Sequence, residues 1–309
     1  NCPLTANRSQ DDLDGDGMGE LAVATNQRQT SASGSEQPGQ GAVALFYGKE
    51  DFTTYETLAT ASASIVGVGP SDSAGSAIAS GDLNGDGYRD LIIGAPKGSS
   101  NRGHVVIFPG GTERMEGNSE LNAAPIQFHG SEYSDNFGFA VTAGDLDADS
   151  TDELVIGAPT ADDSTPEAGT VFVYAGASTF FDAEVDVAHQ FTGEWDDHQL
   201  GSGLRAGVDL NNDGVGDLIM GAIGTWQGLV TKGGRAYTFH GPSTDWSPTQ
   251  SAASASVQFF GAETKDYLGR SIDAADINAD GKTDLMLGSS FTNDGDNFDA
   301  GTVYLFWGE

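Results

Sequence analysis

Five short segments of this sequence carry oxygen-bearing side chains at the first, third, fifth and ninth positions of a tight run. They are Asp12, Asp14, Asp16 and Glu20; Asp82, Asn84, Asp86 and Asp90; Asp145, Asp147, Asp149 and Glu153; Asp209, Asn211, Asp213 and Asp217; and Asp276, Asn278, Asp280 and Asp284. All twenty of these positions hold Asp, Asn or Glu. A hard cation such as Ca²⁺ takes roughly six to eight oxygens at about 2.3–2.6 Å. Alternate residues of a sharp loop turn their side chains toward one point and can supply them. Position six is Gly in four copies and Ser150 in the third, where a turn calls for positive φ. Position seven varies freely, as Met18, Tyr88, Thr151, Val215 and Lys282, which suits a residue that donates only its backbone carbonyl. The expected cofactor is therefore Ca²⁺, about five ions, one per loop. Mg²⁺ is the alternative ion, although it keeps more of its water. Zinc is disfavoured because His and Cys do not cluster. A single loop of this type has a solvated Asp/Gly turn as its lesser alternative; five in register all but remove it.

The first half of each loop is similar to an EF-hand. The closing acid at position nine instead of twelve, and flanks that read as strands, argue against one. Seventeen of the loop side chains are carboxylates, and five Ca²⁺ would reduce the net charge of −33 to −23. The remainder points to an acidic, salt-adapted surface. With 46 acidic and 13 basic residues, nucleic acid and anionic membranes are poor partners. Cys2 is the only cysteine, so no disulfide staples the chain internally, and bound metal is the expected substitute. No apolar run reaches the roughly 20 residues of a membrane span.

The elements that must position these loops repeat with them. The first aspartates are 70, 63, 64 and 67 residues apart. Before each of the last four loops stands a Gly after an apolar residue (Ala74-Gly75, Phe137-Gly138, Leu200-Gly201, Leu268-Gly269). After four of them comes an apolar run: Leu91 to Ile93, Leu154 to Ile156, Leu218 to Met220, Leu285 to Leu287. It closes on Gly94-Ala95-Pro96, Gly157-Ala158-Pro159 or Gly221-Ala222-Ile223. An alternating strand follows (Ala42 to Tyr47, His104 to Phe108, Thr170 to Tyr174, Arg235 to Phe239, Thr302 to Trp307). Then comes a strand running into Gly130 or Gly261. One four-stranded meander per period of about 65 residues predicts an all-β fold, a β-propeller of antiparallel blades, over a sandwich or open solenoid. The expected organisation is one domain over 1–309, with repeats at about 1–68, 69–130, 131–193, 194–261 and 262–309. The fourth strand recurs only four times. A segment outside this sequence, or another chain, is expected to complete the last blade, with a ring of five blades or of seven as the alternatives.

These residues resemble the FG-GAP repeats of integrin α-subunit propellers and their bacterial relatives. Phe137-Gly138, the loop from Asp145 to Glu153, and Gly157-Ala158-Pro159 show the whole pattern in one copy. The resemblance implies that each loop joins the first two strands of a blade and holds Ca²⁺ on one face, with partner-binding loops on the other. It implies an extracellular or cell-surface binding or adhesion module for a protein or glycan ligand, and no enzyme. The alternatives are the propeller portion of a secreted polysaccharide-active lyase or hydrolase, and a lectin-like glycan binder. No catalytic set stands out. His104, His129 and His240 read as satisfied or rim residues, and Glu194 to His198 as an acidic loop that could offer Trp195 to a sugar. Trp226 and Trp246 could be stacking surfaces.

Overall fold

A computed structural model describes residues 12–25, 29–30, 36–37, 39–48, 60–182, 185–224, 226–227, 230–231, 233–292 and 300–308. Cys2 and the segment expected to form the first strand lie outside the described residues.

The apolar run after each acidic loop becomes the second strand of a sheet, and its burial explains its composition. Asp90–Ala95, Glu153–Ala158 and Asp217–Ala222 are buried at every residue. A strand covered on both faces has no reason to alternate polar with apolar. Its period of two instead divides it between two cores. Leu91 and Ile93 pack with Val43, Leu45 and Ile65 of the preceding sheet, while Ile92 packs with Leu154 and Ile156 of the following one. Leu218 and Met220 face Val171 and Val173, whereas Ile219 faces Leu285 and Leu287. Each such residue removed from water contributes about 1.5–3 kcal/mol.

The full sheets are antiparallel meanders, as the repeat predicts. The second sheet is Ala77–Gly81, Asp90–Ala95, His104–Phe108 and Ile126–His129. The third begins with Ala140–Gly144, Glu153–Ala158, Thr170–Tyr174 and Val187–Thr192. The fourth is Leu200–Val208, Asp217–Ala222, Arg235–Phe239 and Val257–Phe260. The fifth has three strands among the described residues: Ser271–Ala275, Asp284–Ser289 and Thr302–Phe306. In the first sheet Leu21–Thr25, Ala42–Phe46 and Ala63–Val66 are described. The inner strands of sheets two to five lie side by side and line a cavity of about 500 Å³ that reaches Ser76, Phe139, Ser202 and Arg270. This is the β-propeller arrangement, with one acidic loop per sheet.

Two glycines that recur in each of several repeats explain how neighbouring sheets meet. The N–H of Gly138, at φ 84°, donates to the carbonyl of Gly157 at 3.0 Å within its own sheet. Its own carbonyl lies against Gly94 of the preceding sheet, where a Cβ would collide with it. Gly157 with Gly201, and Gly221 with Gly269, repeat the contact. The Gly before each loop and the Gly after each apolar run are thus the two sides of one backbone-to-backbone approach.

The structure adds strands that the repeat does not announce. Gly117–Glu120, from the link between the third and fourth strands of the second sheet, pairs parallel with Ala63–Val66 of the first. Thr249–Ser251 pairs parallel with Val187–Thr192 in the same way. Both are short and polar, and a strand at a sheet edge with few buried side chains carries no hydrophobic period. Each crossover also ties back to the acidic loop of the preceding sheet. Gly111 N–H donates to the carbonyl of Leu13, Ala177 N–H to that of Leu83, and Ser243 N–H to that of Leu146, at 2.8, 3.0 and 2.6 Å.

Candidate functional site

Every acidic loop joins the inner strand of its sheet to the second strand, or leads into the second strand where the inner one is not described. The backbone closes it through its own aspartates. In the second loop, Asp82 accepts the N–H groups of Asp86 and Gly87 at 3.0 and 2.8 Å, Asn84 accepts that of Asp86, and Asp86 accepts that of Tyr88. The fourth and fifth loops repeat the set through Asp209, Asn211 and Asp213, and through Asp276, Asn278 and Asp280. In the first and third loops, Asp12 and Asp145 also accept from position four, at Gly15 and Ala148. Position four shares the left-handed backbone with position six: Ala148, Asn212 and Ala279 have φ of 64°, 59° and 60°, and Ser150 has 74°. The sequence signalled position six through its glycines. Position four held Gly15, Gly85, Ala148, Asn212 and Ala279, and that mixture hid the same requirement.

The carboxylates do not all gather alike. One oxygen from each of Asp12, Asp14, Asp16 and Glu20 lies within 4.8 Å of the others, as do oxygens of Asp145, Asp147 and Asp149. These donor sets could hold a divalent cation. In the other loops Asn84, Asn211 and Asn278 fill position three and donate to the acids at position five, at 2.8–2.9 Å. The position-seven residues Met18, Tyr88, Thr151, Val215 and Lys282 each give their N–H to position five.

The ninth position has a role beyond the one expected of it. Asp90, Glu153, Asp217 and Asp284 are buried. Asp90 accepts the N–H of Leu83 at 3.0 Å with one oxygen and that of Gly110 at 2.9 Å with the other. Asp217 joins Leu210 to Gly241, and Asp284 joins Ile277 to Gly308. Glu153 reaches Leu146 and Gly176, and Glu20 reaches Leu13 and Gly48. The closing acid therefore staples the loop to the chain leaving the third strand. Burial is the main cause that pushes Asp90 up to about 7 and Glu153 up to about 8, against the N–H groups that favour the charged form.

The opposite end of the sheets is built from the loops 67–75, 130–138, 193–201 and 261–269. Asp72, Asp135 and Asp266 each accept backbone N–H groups at the start of their loops. His198 fills the same place and accepts the N–H of Glu194 at 2.9 Å on Nδ1. Its Nε2 then donates to Tyr237 Oη at 2.9 Å, and that hydroxyl donates to Glu194 at 2.6 Å. Burial pushes His198 down to about 3, so it is neutral. The segment Glu194 to His198 is therefore no solvated acidic loop. Trp195 stacks on Arg235, which Phe260 covers from the other side, at 4.6 and 4.4 Å. Trp246 is likewise not a free stacking surface: it packs edge-on against Phe191, and its indole N–H donates to the carbonyl of His240 at 2.8 Å. The side chain of Trp226 lies outside the described residues. His104 and His129 are cross-strand partners, and Ser99 Oγ lies 2.7 Å from His129 Nδ1 and 3.4 Å from His104 Nδ1. They line a cavity of about 310 Å³ with Asp72, Asn122 and Gln127.

A family model described as the FG-GAP repeat matches residues 74–108, 137–174 and 268–306. The chain carries FG-GAP repeats. Each matched FG-GAP stretch runs from the glycine contact through the acidic loop to the third strand. The chain is 30% identical over 228 residues to integrin alpha-5 of Xenopus laevis, covering 70% of this chain and 20% of that protein. It is 30% identical over 237 residues to the phosphatidylinositol-glycan-specific phospholipase D of Bos taurus, covering 72% of this chain and 26% of that protein. Integrin alpha-V of Gallus gallus is 28% identical over 60% of the chain. The chain thus spans about a fifth to a quarter of the length of the integrin alpha-5 and phospholipase D relatives. No helix among the described residues is long and apolar enough to cross a membrane.

Proposed function

We propose that this chain is a calcium-stabilised extracellular binding module of the integrin-α type, with structural metal in its acidic loops and a ligand face at the opposite end. The convergence of four carboxylates in the first loop and three in the third carries the reading. Four carboxylates within 4.8 Å repel one another strongly unless cations join them, and Arg114 pairs with only two of the first loop's four, Asp14 and Asp16. The remaining loops offer three carboxylates and an Asn carbonyl each, an oxygen-only set that suits Ca²⁺ and gives zinc neither imidazole nor thiolate. Bound Ca²⁺ would supply the charge neutralisation; Asp12, Asp14, Asp16 and Glu20, with their counterparts, would hold it. The five repeats form one domain, and each loop, once loaded, fixes the entry to its second strand, which is buried at every residue in the second, third and fourth sheets. The ligand is a protein or glycan met at the cell surface, and the loops beside His104, His129 and Asp72 are the face to test.

The test is a melting curve in excess chelator and in millimolar Ca²⁺. A gain of several degrees on adding Ca²⁺, reduced in Asp145→Asn with Asp149→Asn, is expected; equal melting temperatures of the wild type with and without Ca²⁺ would sink the reading. The phospholipase D relatives favour a second reading, in which these repeats serve a secreted enzyme acting on lipids or polysaccharides. Turnover of phosphatidylinositol-glycan or acidic polysaccharide by this chain would decide for it. Binding on a glycan or extracellular-protein array without turnover would decide for the module.

A further inference from the structure

The three crossovers that tie back to an acidic loop differ at one equivalent place. Three residues after the tie stand Arg114, Phe180 and Trp246, following Gly111, Ala177 and Ser243. Phe180 and Trp246 turn into the junction between two sheets. Phe180 is buried against Phe128, and Trp246 lies against Phe191 and Phe239. Arg114 turns the other way. Its guanidinium forks across the first loop, Nε to Asp14 and an Nη to Asp16 at 2.6 Å, and rests 4.9 Å above the Tyr47 ring. The side chain of Asp14 is nearly closed off from solvent by it. The segment is held there, because Met115 N–H donates to Tyr47 Oη at 2.7 Å. Among the described residues no other ion pair ends on an oxygen-bearing position of a loop: Arg89 meets Asp152, Arg205 meets Asp273 and Arg235 meets Glu194.

We propose that Arg114 is a tethered competitor for the first loop's cation, so that this loop takes Ca²⁺ more weakly than the other four and loads last. A bidentate guanidinium uses one carboxylate oxygen of each of two positions that a metal also needs. It is anchored to the protein, so it acts at a high effective concentration. A divalent ion entering beside it would meet a cation at the distance of a shared carboxylate. The ion must therefore displace the arginine, and the cost appears as lost affinity. The first loop has the richest carboxylate set, four against three in the second, fourth and fifth loops, and carboxylate count alone would make it one of the tightest. The proposal rests on the calcium reading and reverses the order that carboxylate count gives.

The experiment is a Ca²⁺ titration of the metal-stripped chain labelled with ¹³C at its methionine methyls. Met18 lies within the first loop and Met115 beside Arg114, whereas Met220 and Met286 lie in the second strands of the fourth and fifth sheets. In the wild type, the Met18 and Met115 signals should move at Ca²⁺ concentrations about tenfold or more above those that complete the changes at Met220 and Met286. In Arg114→Gln, and in Arg114→Phe, which restores the aromatic of the other crossovers, the Met18 midpoint should fall by about tenfold and join the rest. Native Met220 and Met286 signals confirm that each variant is folded. A Met18 midpoint within twofold of wild type in both variants overturns the proposal, as does a first loop that fills first. No response at Met220 or Met286 at any Ca²⁺ concentration overturns the calcium reading itself.

Discussion

Metal-free protein should lose stability as pH rises from 5 to 8, the reverse of what an acidic protein stabilised by ion pairs would do. The cause is the closing acid of the first four loops, pushed up chiefly by burial, whereas Asp284 of the fifth is held low by the N–H of Gly308. Glu153 is pushed from 4.5 to about 8 and Asp90 from 3.8 to about 7, chiefly by burial. A carboxyl with a raised folded-state pKa binds its proton more tightly folded than unfolded. Its contribution is therefore full below the unfolded value, falls steadily between the unfolded value and the folded one, and is gone once pH has climbed through the folded value. Between pH 5 and pH 8 the linkage amounts to about 3 kcal/mol from Glu153 and about 2–3 kcal/mol from Asp90, as an order of magnitude. Urea denaturation in chelator at the two pH values reads the difference directly. Relief of general charge repulsion also favours low pH, so the specific term is isolated by Glu153→Gln, which cannot titrate. That variant should lose about half of the pH dependence. With Ca²⁺ present, the ion holds the ionised form, and the slope should flatten or reverse. A metal-free protein as stable at pH 8 as at pH 5, or a Glu153→Gln variant with an unchanged slope, would refute the reasoning.

Other substitutions follow from the same geometry. Ser150→Gly should stabilise the protein by about 1 kcal/mol in denaturant titration, because Ser150 sits at φ 74° where Gly is unstrained. Ala148→Gly should act in the same direction and add to it. Gly94→Ala should destabilise by about 3 kcal/mol, since the new methyl meets the carbonyl of Gly138 in the neighbouring sheet. Trp246→Ala should cost about 2–3 kcal/mol through lost contact with Phe191 and Phe239, with no loss of ligand binding. His198→Asp, which installs the acid found at Asp72, Asp135 and Asp266, should keep the loop's backbone hydrogen bond. It removes the imidazole N–H that Tyr237 Oη accepts, so a chain that gains stability from it would contradict the network described.

The period, the sheets and the acidic loops were legible in the sequence because each rests on local chemistry. A second strand buried on both faces must be apolar throughout, so Leu91 to Ile93 and its counterparts stand out whatever surrounds them. A tight loop closed by its own aspartates keeps its spacing for the same reason. Tertiary structure alone decided what lies between repeats. It turned Trp246 inward and Arg114 outward from equivalent places, and it buried His198 where the other loops bury an aspartate. It also gave the polar Gly117–Glu120 and Thr249–Ser251 a strand partner in the preceding sheet. None of these has a period or a neighbour in sequence to mark it. Partners such as Tyr237 for His198 and Asp14 for Arg114 are 39 and 100 residues away, and become neighbours only when successive sheets pack around the common axis.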